Sequence, residues 1–533
     1  MSQEEKFAHW ADKVAQEVID TYPESEVLTC ASGITPSGVI HIGNFREIVT
    51  TELVFRALQK RLANSKQKAR FIYSWDDYDV FRKVPKGMPN QEMLIKHLRL
   101  PIVDIPDPYG EEESYARHHE VQLEKVMPVL GIHPEYLYQA KNYRACTYAD
   151  GMKTALEKSA EIKVELDKYR KDPLPDSFVP IRIFCEKCNK DTVEHIEYKG
   201  DYSVFYKCDC GFEDTFDLRK KGIAKLQWRV DWPMRWKHES VRFEPSGKDH
   251  SSDGGSFDTG KLIAKNVYDY DAPVHYMYDF VGMKGRGGKI SSSAGGALTI
   301  SDVLEVYEPE IVRYLFASSR LASEFSISFD LDVIKIYEDF DKCERVYYGT
   351  QEAQEKEVDK QKRIYELSAI DSENISKETP VIIGFRHMST LVQVFEHDLE
   401  KVLGYLKEHE GVTSDESLRR NQTRSLCASN WLKEFAPDDM KFTVRESASD
   451  VSVPDELRAT VEKFISLLQE GTDADEIGTA IYNYCKEHEI KIKQFFTQCY
   501  MILIERTKGP KLTQFIMTIG KEKGIKLLQE ALS

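Results

Sequence analysis

A chain of 533 residues is too long for one ordinary core, so roughly two to four domains are expected. Its 41% hydrophobic and 30% charged residues describe a globular protein with no apolar run of the ~20 residues a bilayer demands. The net charge of −16 excludes a general, field-driven affinity for nucleic acid, so such a partner would need local basic patches. Ten cysteines, most scattered singly, make no disulfide framework, and the opening "MSQEEKFAHWADKVAQEVID" lacks a secretory apolar stretch. A reducing cytoplasm, without a membrane partner, is the expected setting.

Residues 1–144 read as alternating α/β, the first half of a Rossmann-like nucleotide-binding domain. "VLTCAS" (27–32) is a short buried strand, and "RFIYSWDD" (70–77) is a second that ends in acidic residues. Between them Phe45, Ile48, Val49 and Leu53 fall on one helical face. In residues 145–225 cysteines cluster and charges alternate, as in an inserted module. Apolar and glycine-rich stretches return over 226–330, the second half of the catalytic domain. From 331 to 533 the pattern is helical. Leu391, Phe395, Leu399, Val402 and Leu406 predict one stripe of a single helix, and "EHEGVTSDESLRRNQTRS" (408–425) reads as a polar surface connection.

"GITPSGVIHIGN" (33–44) combines turn chemistry with the start of a helix. Backbone N–H groups at a helix N-terminus favour anions, and Gly33, Gly38 and Gly43 permit close approach of a large substrate. His41 and Asn44, three residues apart, can both donate to phosphate oxygens. Far downstream, "MKGRGGKISSSAGG" (283–296) sets Lys289 beside Ser291, Ser292 and Ser293 in a glycine-rich loop suited to a triphosphate. Read separately, the first stretch could be a capped structural loop and the second a Ser/Gly linker.

Cys185 and Cys188 are two residues apart, and Cys208 and Cys210 follow with one between them. Two close pairs across such a loop have the spacing of a tetrahedral Zn²⁺ knuckle. Gly211 suits a tight turn behind the last thiolate, and His195 is a possible substitute ligand. Nothing nearby looks catalytic, so a structural site is expected; four unliganded thiols are the alternative.

The stretch from Pro36 to Asn44 matches the class I aminoacyl-tRNA synthetase signature P-[ST]-G-x-[IL]-H-[IVL]-G-[HN], and "KISSS" (289–293) resembles the mobile KMSKS loop of the same enzymes. With "SWDDYDVFRK", "WRVDWPMRW", "FEPSGKDHSSDGGSFDTG" and the late "GPKLTQFI", the chain resembles the class I lysyl-tRNA synthetases over nearly its whole length. The resemblance implies lysine activation by ATP with Mg²⁺, then transfer to the 2′-OH of the terminal adenosine of tRNA(Lys). It implies His41, Asn44 and Lys289 as catalytic residues. The ATP site would comprise Pro36, Gly38, His41, Gly43, Asn44, Lys289 and Ser291 to Ser293. Gly33, Thr35, Trp228, His250 and Tyr278 would hold lysine, and 331–533 would form an anticodon-binding domain. Asn44 and Ser292 depart from the commoner class I residues, histidine and lysine, which leaves the share of each group open. A monomer is expected.

Asp77, Asp231 and Asp249 are candidate carboxylates for the lysine ammonium, whereas Trp232 and Trp236 are assigned to the core. Arg506, Lys508, Lys511, Lys521, Lys523 and Lys526 form a candidate tRNA surface, and Arg219 to Lys221 a second near the acceptor stem. Rival readings are a class I synthetase for glutamate, which would present Arg229 or Arg235 to the substrate, and a non-catalytic tRNA-binding paralogue. A small nucleotidyltransferase would not need the helical region or the cysteine module.

Overall fold

Four parallel strands organise the first half of the computed structural model, which describes residues 7–284 and 298–533. Val27–Ile34 (β1), Lys68–Trp75 (β2), Glu135–Tyr138 (β3) and Val241–Phe243 (β4) lie in the order β3-β2-β1-β4. All three pairings are parallel, as the near-continuous apolar reading of β1 requires. In the β1–β2 register Gly33 faces Ser74, and a Cβ at Gly33 would stand 2.6 Å from the Ser74 carbonyl oxygen. Only glycine lets the strands approach there.

Helix Ile42–Leu62 (α1) follows β1 and buries the expected face of Phe45, Ile48, Val49 and Leu53. Arg46 on the same helix is also buried. Its guanidinium donates to the carbonyls of Phe280, Arg320, Leu321 and Ser323 at 3.0, 3.1, 2.9 and 2.9 Å, tying α1 to the parallel strands Val281–Met283 and Phe325–Ile327. Within 145–225, an antiparallel sheet of Val193–Gly200, Ser203–Cys208 and Glu213–Asp217 contributes Val204, Tyr206 and Phe216 to the core cluster that also holds Tyr78 and Tyr143.

The chain divides into two units that interleave in sequence. One comprises Met1–Val303, Pro309–Ile327 and Glu352–Ile375; the other comprises Leu304–Glu308, Ser328–Gln351 and Ser376–Ser533. Helix Glu355–Ser368 thus belongs with the sheet, and its Arg363 donates to Asp12 at 2.8 Å.

The second unit is helical, with two departures from expectation. The Leu391 to Leu406 stripe is split between Phe385–Val394 and Leu399–His409. Glu396 and His397, at φ 52° and 64°, turn the chain left-handed, and Asp398 caps the new helix by accepting from the Lys401 N–H at 3.2 Å. The expected surface connection is instead largely the helix Asp415–Glu434. Arg420 and Arg424 there are fully buried: both pair with Glu308, Arg420 also with Glu344, and Arg424 with Asp341 at 2.8 Å. Their polar look reflects an internal ion network rather than exposure to water.

Candidate active site

The C-terminal ends of the strands open on a cleft of about 800 Å³. That is where a doubly wound sheet places its ligands. At its edge His41 and Asn44 cap α1 reciprocally. The Asn44 Oδ1 accepts the His41 N–H at 3.2 Å, and the His41 Nδ1 accepts the Gly43 N–H at 3.0 Å. A Cβ at Gly43 would lie 2.9 Å from the imidazole, so this position has to be glycine.

The capping changes the anion site from the one expected. The N–H of Ile42 donates to the Leu298 carbonyl at 2.8 Å, and those of Asn44 and Phe45 to the His41 carbonyl. The first-turn amides are therefore already occupied, and side chains must do the donating. With Nδ1 accepting, the neutral His41 ring carries its proton on Nε2. With Oδ1 engaged, Asn44 offers its NH₂. Each residue is both cap and donor.

Gly33, Thr35, Gly38, His41, Gly43, Asn44, Trp228, His250 and Tyr278 all line this cleft. Pro36 is buried and does not line it. Lys289, Ser291, Ser292 and Ser293 lie outside the described residues. The chain on either side of that segment meets the turn: Leu298 accepts from Ile42, and Val281 lines the cleft.

Of the candidate carboxylates, Asp249 lines the cleft; the other two do not. Asp77 accepts the Ala140 N–H at 2.7 Å and fastens a backbone turn, while Asp231 is buried against Tyr143 and Arg235. Besides Asp249, the acids that line it are Glu47, Asp76, Asp79, Glu239 and Glu244, which sequence reasoning missed; Glu239 is paired with Arg70 at 2.9 Å. Asp76 is paired with Arg235 at 2.8 Å. Asp79 is paired with Lys225 and accepts from the Thr35 hydroxyl at 2.9 Å. Burial opposes ionisation of Asp79, but the Lys225 ammonium outweighs it and holds the carboxyl below its usual range.

Glu47 and Glu244 make no ion pair among the described residues. The Glu47 Oε1 accepts the Gly33 N–H at 3.2 Å, and its Oε2 accepts the Tyr278 hydroxyl at 2.7 Å. Glu244 accepts the Trp236 indole N–H at 2.7 Å. Burial pushes each carboxyl up to about 7, against these hydrogen bonds, which favour the charged form. Trp228 stacks on Trp232 at 5.1 Å and 16°, with His250 edge-on to both. Trp232 and Trp236 belong to the core cluster as assigned, yet they also line the cleft. The site thus combines hydrogen-bond donors at the histidine turn with aromatic faces and two acids that make no ion pair among the described residues.

In the module, the four sulfurs of Cys185, Cys188, Cys208 and Cys210 lie within 4.8 Å of one another. Cys185–Cys210 and Cys188–Cys208 separations are 3.8 and 3.7 Å. Tetrahedral Zn–S bonds of about 2.3 Å place sulfurs roughly 3.8 Å apart, so the thiols fit zinc. Gly211 takes φ 81°, closing the second knuckle. His195 is outside this group, with its side chain 59% exposed. In the nearby basic run, Arg219 pairs with Asp217, and Lys221 with Glu186 and Asp214, so little free charge is left there.

A parallel nucleotide-binding sheet with a capped histidine turn, followed by a helical unit, is the architecture of class I aminoacyl-tRNA synthetases. The family model described as tRNA synthetases class I (K) matches residues 8–371, and one described as an anticodon binding domain matches 429–532. The chain belongs to the class I (K) tRNA synthetase family. It is 46% identical over 522 residues to the lysine–tRNA ligase of Borreliella burgdorferi, covering 97% of this chain and 98% of that one. The lysine–tRNA ligase of Treponema pallidum is 43% identical (97% and 98% covered), and that of Thermococcus kodakarensis 39% (98% and 99%).

Proposed function

We propose that the protein activates lysine with Mg·ATP to lysyl-adenylate and transfers the lysyl group to the 2′-OH of the terminal adenosine of tRNA(Lys). The observation that carries lysine as the amino acid is the pair Glu47 and Glu244. Lysine brings two ammonium groups, and Glu47 and Glu244 line the cleft with no ion-pair partner among the described residues. Aromatic faces of Trp228 and Tyr278 suit the aliphatic stem. The same acids would repel a glutamate side chain. The two arginines that the glutamate reading singled out are spent: Arg235 on Asp76 and Ser74, and Arg229, outside the cleft, on Thr259.

The lysine carboxylate attacks the α-phosphorus, and the bond to the β-phosphate's bridging oxygen breaks, releasing pyrophosphate. His41 Nε2–H and the Asn44 NH₂ steady the charge at the α-phosphate, and Lys289 the leaving pyrophosphate. Both flanks of the Lys289 segment meet the histidine turn, which supports that role. The adenosine hydroxyl then takes the acyl group and AMP leaves. Positioning and preorganised donors carry the rate. Zn²⁺, when bound by the four cysteines, ties the two knuckles together.

Pyrophosphate exchange with each of the twenty amino acids, run with tRNA present, tests the proposal. Lysine alone should support exchange and charging, and His41→Ala should abolish both. Exchange with glutamate instead, or with nothing, overturns it.

A further inference from the structure

We infer that Lys225, at the end of the cysteine module, is a positioning residue for amino-acid binding: through Asp79 it commits the proton of the Thr35 hydroxyl, so that Thr35 meets the α-ammonium of lysine as an acceptor. The inference rests on the lysine-activating reading above. Lys225 does not line the cleft, and its side chain is only 5% exposed. Asp79 and Thr35 do line it. The Lys225 ammonium therefore acts on a substrate only through the carboxylate that stands between them.

Each charge is held in place by its own segment of backbone. Lys225 sits in the strand Ala224–Leu226, paired antiparallel with Ile181–Ile183, which leads into Cys185. The Phe184 N–H donates to the Ile223 carbonyl at 2.8 Å, fastening that strand to the first cysteine knuckle. The ammonium also lies 5.7 Å from the centre of the Tyr143 ring, whose hydroxyl accepts the Leu226 N–H at 3.3 Å. Asp79 is fixed from another direction. Its carbonyl accepts the Ile102 N–H at 2.8 Å, and its neighbour Val80 bridges to Pro101. The contact between Lys225 and Asp79 thus joins the module to the cleft.

The polarity of Thr35 follows from its partners. A hydroxyl has one proton and two lone pairs. Lys225 occupies the Asp79 Oδ1, and the Asp79 Oδ2 accepts the Thr35 hydroxyl at 2.9 Å. An ionised carboxylate only accepts, so the Thr35 proton is spent and its oxygen offers the cleft lone pairs alone. Lone pairs suit an ammonium and repel a carboxylate. The substrate carboxylate has to reach the α-phosphate at His41, and the α-ammonium hangs on the same carbon as that carboxylate. The turn that carries His41 also carries Thr35. Without Lys225, burial would favour a protonated Asp79, whose own O–H could donate to Thr35 and turn the threonine proton toward the substrate. An ion pair that served only to seat the module would need no hydroxyl on its carboxylate.

Calorimetry on the full chain tests this with lysine, cadaverine (which lacks the carboxylate) and 6-aminohexanoate (which lacks the α-ammonium). Lys225→Met should weaken lysine and cadaverine about tenfold and leave 6-aminohexanoate and ATP within twofold. Lys225→Arg keeps the cation and should bring lysine back to within threefold of wild type. Thr35→Val is nearly isosteric and should give the same split between ligands. Together with Lys225→Met it should weaken lysine no more than about twofold beyond either change alone. Thr35→Val leaves the buried pair in place, so it decides the matter even where Lys225→Met does not fold. Equal weakening of lysine and 6-aminohexanoate in either variant, or a lysine affinity that moves less than threefold, overturns the inference. Should the variants show the split while the wild type exchanges no pyrophosphate with lysine, the inference stands and the enzymatic reading fails. Normal exchange beside unchanged lysine binding does the reverse.

Discussion

Glu47→Gln separates substrate recognition from folding. The amide is nearly isosteric: its oxygen can keep the Gly33 N–H, and its NH₂ can donate to the Tyr278 oxygen, so the local frame survives. What disappears is the charge. A hydrogen bond to a charged group contributes about 1.5–3 kcal/mol, which is roughly a 10- to 150-fold weakening of lysine binding. The pH dependence carries a second signature. Lysine should bind the ionised carboxyls, and both Glu47 and Glu244 are raised to about 7. From pH 6 to 8 each acid then tightens wild-type binding about tenfold, and the two together at most about 100-fold. Glu47→Gln should retain only the part due to Glu244, and adding Glu244→Gln should flatten the profile.

Stability runs the other way. Because the folded-state value of Glu47 lies above the ordinary one, the native chain binds more protons than the unfolded chain, and stability falls as pH rises through about 7. Above that pH the buried charge costs the free protein at most about 3 kcal/mol, so Glu47→Gln should not lower its melting temperature at pH 8. Calorimetric titration of lysine from pH 6 to 8, beside thermal melts of the free protein, reads both effects. Affinity within twofold of wild type, with an unchanged pH profile, refutes the assignment of an ammonium to Glu47.

Asn44→Asp keeps the cap acceptor and places a negative charge at a helix N-terminus, so the melting temperature should hold. It removes the NH₂ donor, and the exchange kcat should fall about 10²–10³-fold; a variant that exchanges normally leaves Asn44 a cap alone. Purified protein should carry one zinc per chain, and Cys185→Ser with Cys208→Ser should abolish it while amide exchange speeds up across 181–226. Metal analysis that finds no zinc in the wild type refutes the site. Glu308→Gln leaves Arg420 and Arg424 short of a buried partner and should cost about 3–5 kcal/mol in urea denaturation of the helical unit, with a loss below 1 kcal/mol counting against the network.

What could be read from the sequence was local chemistry. β1, β2, the face of α1 and the cysteine pairs each declare themselves within a short window, through apolar runs, helical period or ligand spacing. The histidine turn was legible as a phosphate site, yet not the way it works. That its amides are consumed by Leu298 and by its own cap depends on a partner carbonyl far along the chain. Glu47 was missed for a similar reason. In "REIVTTE" it reads as one more solvated charge, and only the register that sets Gly33 and Tyr278 against α1 turns it into a cleft acid. One signal was available: it lies between Phe45 and Ile48, on the edge of the face predicted to be buried.

Charge was the least legible property because a sequence lists charges without their partners. The polar stretch around Arg420 and Arg424 looked like surface, but its guanidinium groups balance Glu308, Asp341 and Glu344 inside the helical unit. The lysines near the C-terminus looked like an RNA face, but Lys511, Lys523 and Lys526 are paired with Asp475, Glu446 and Glu530. Lys433 and Arg506, by contrast, are exposed and make no ion pair among the described residues. An acidic protein that must hold RNA needs few cations, provided that its own carboxylates do not reach them. Position, more than number, decides where a phosphate can settle.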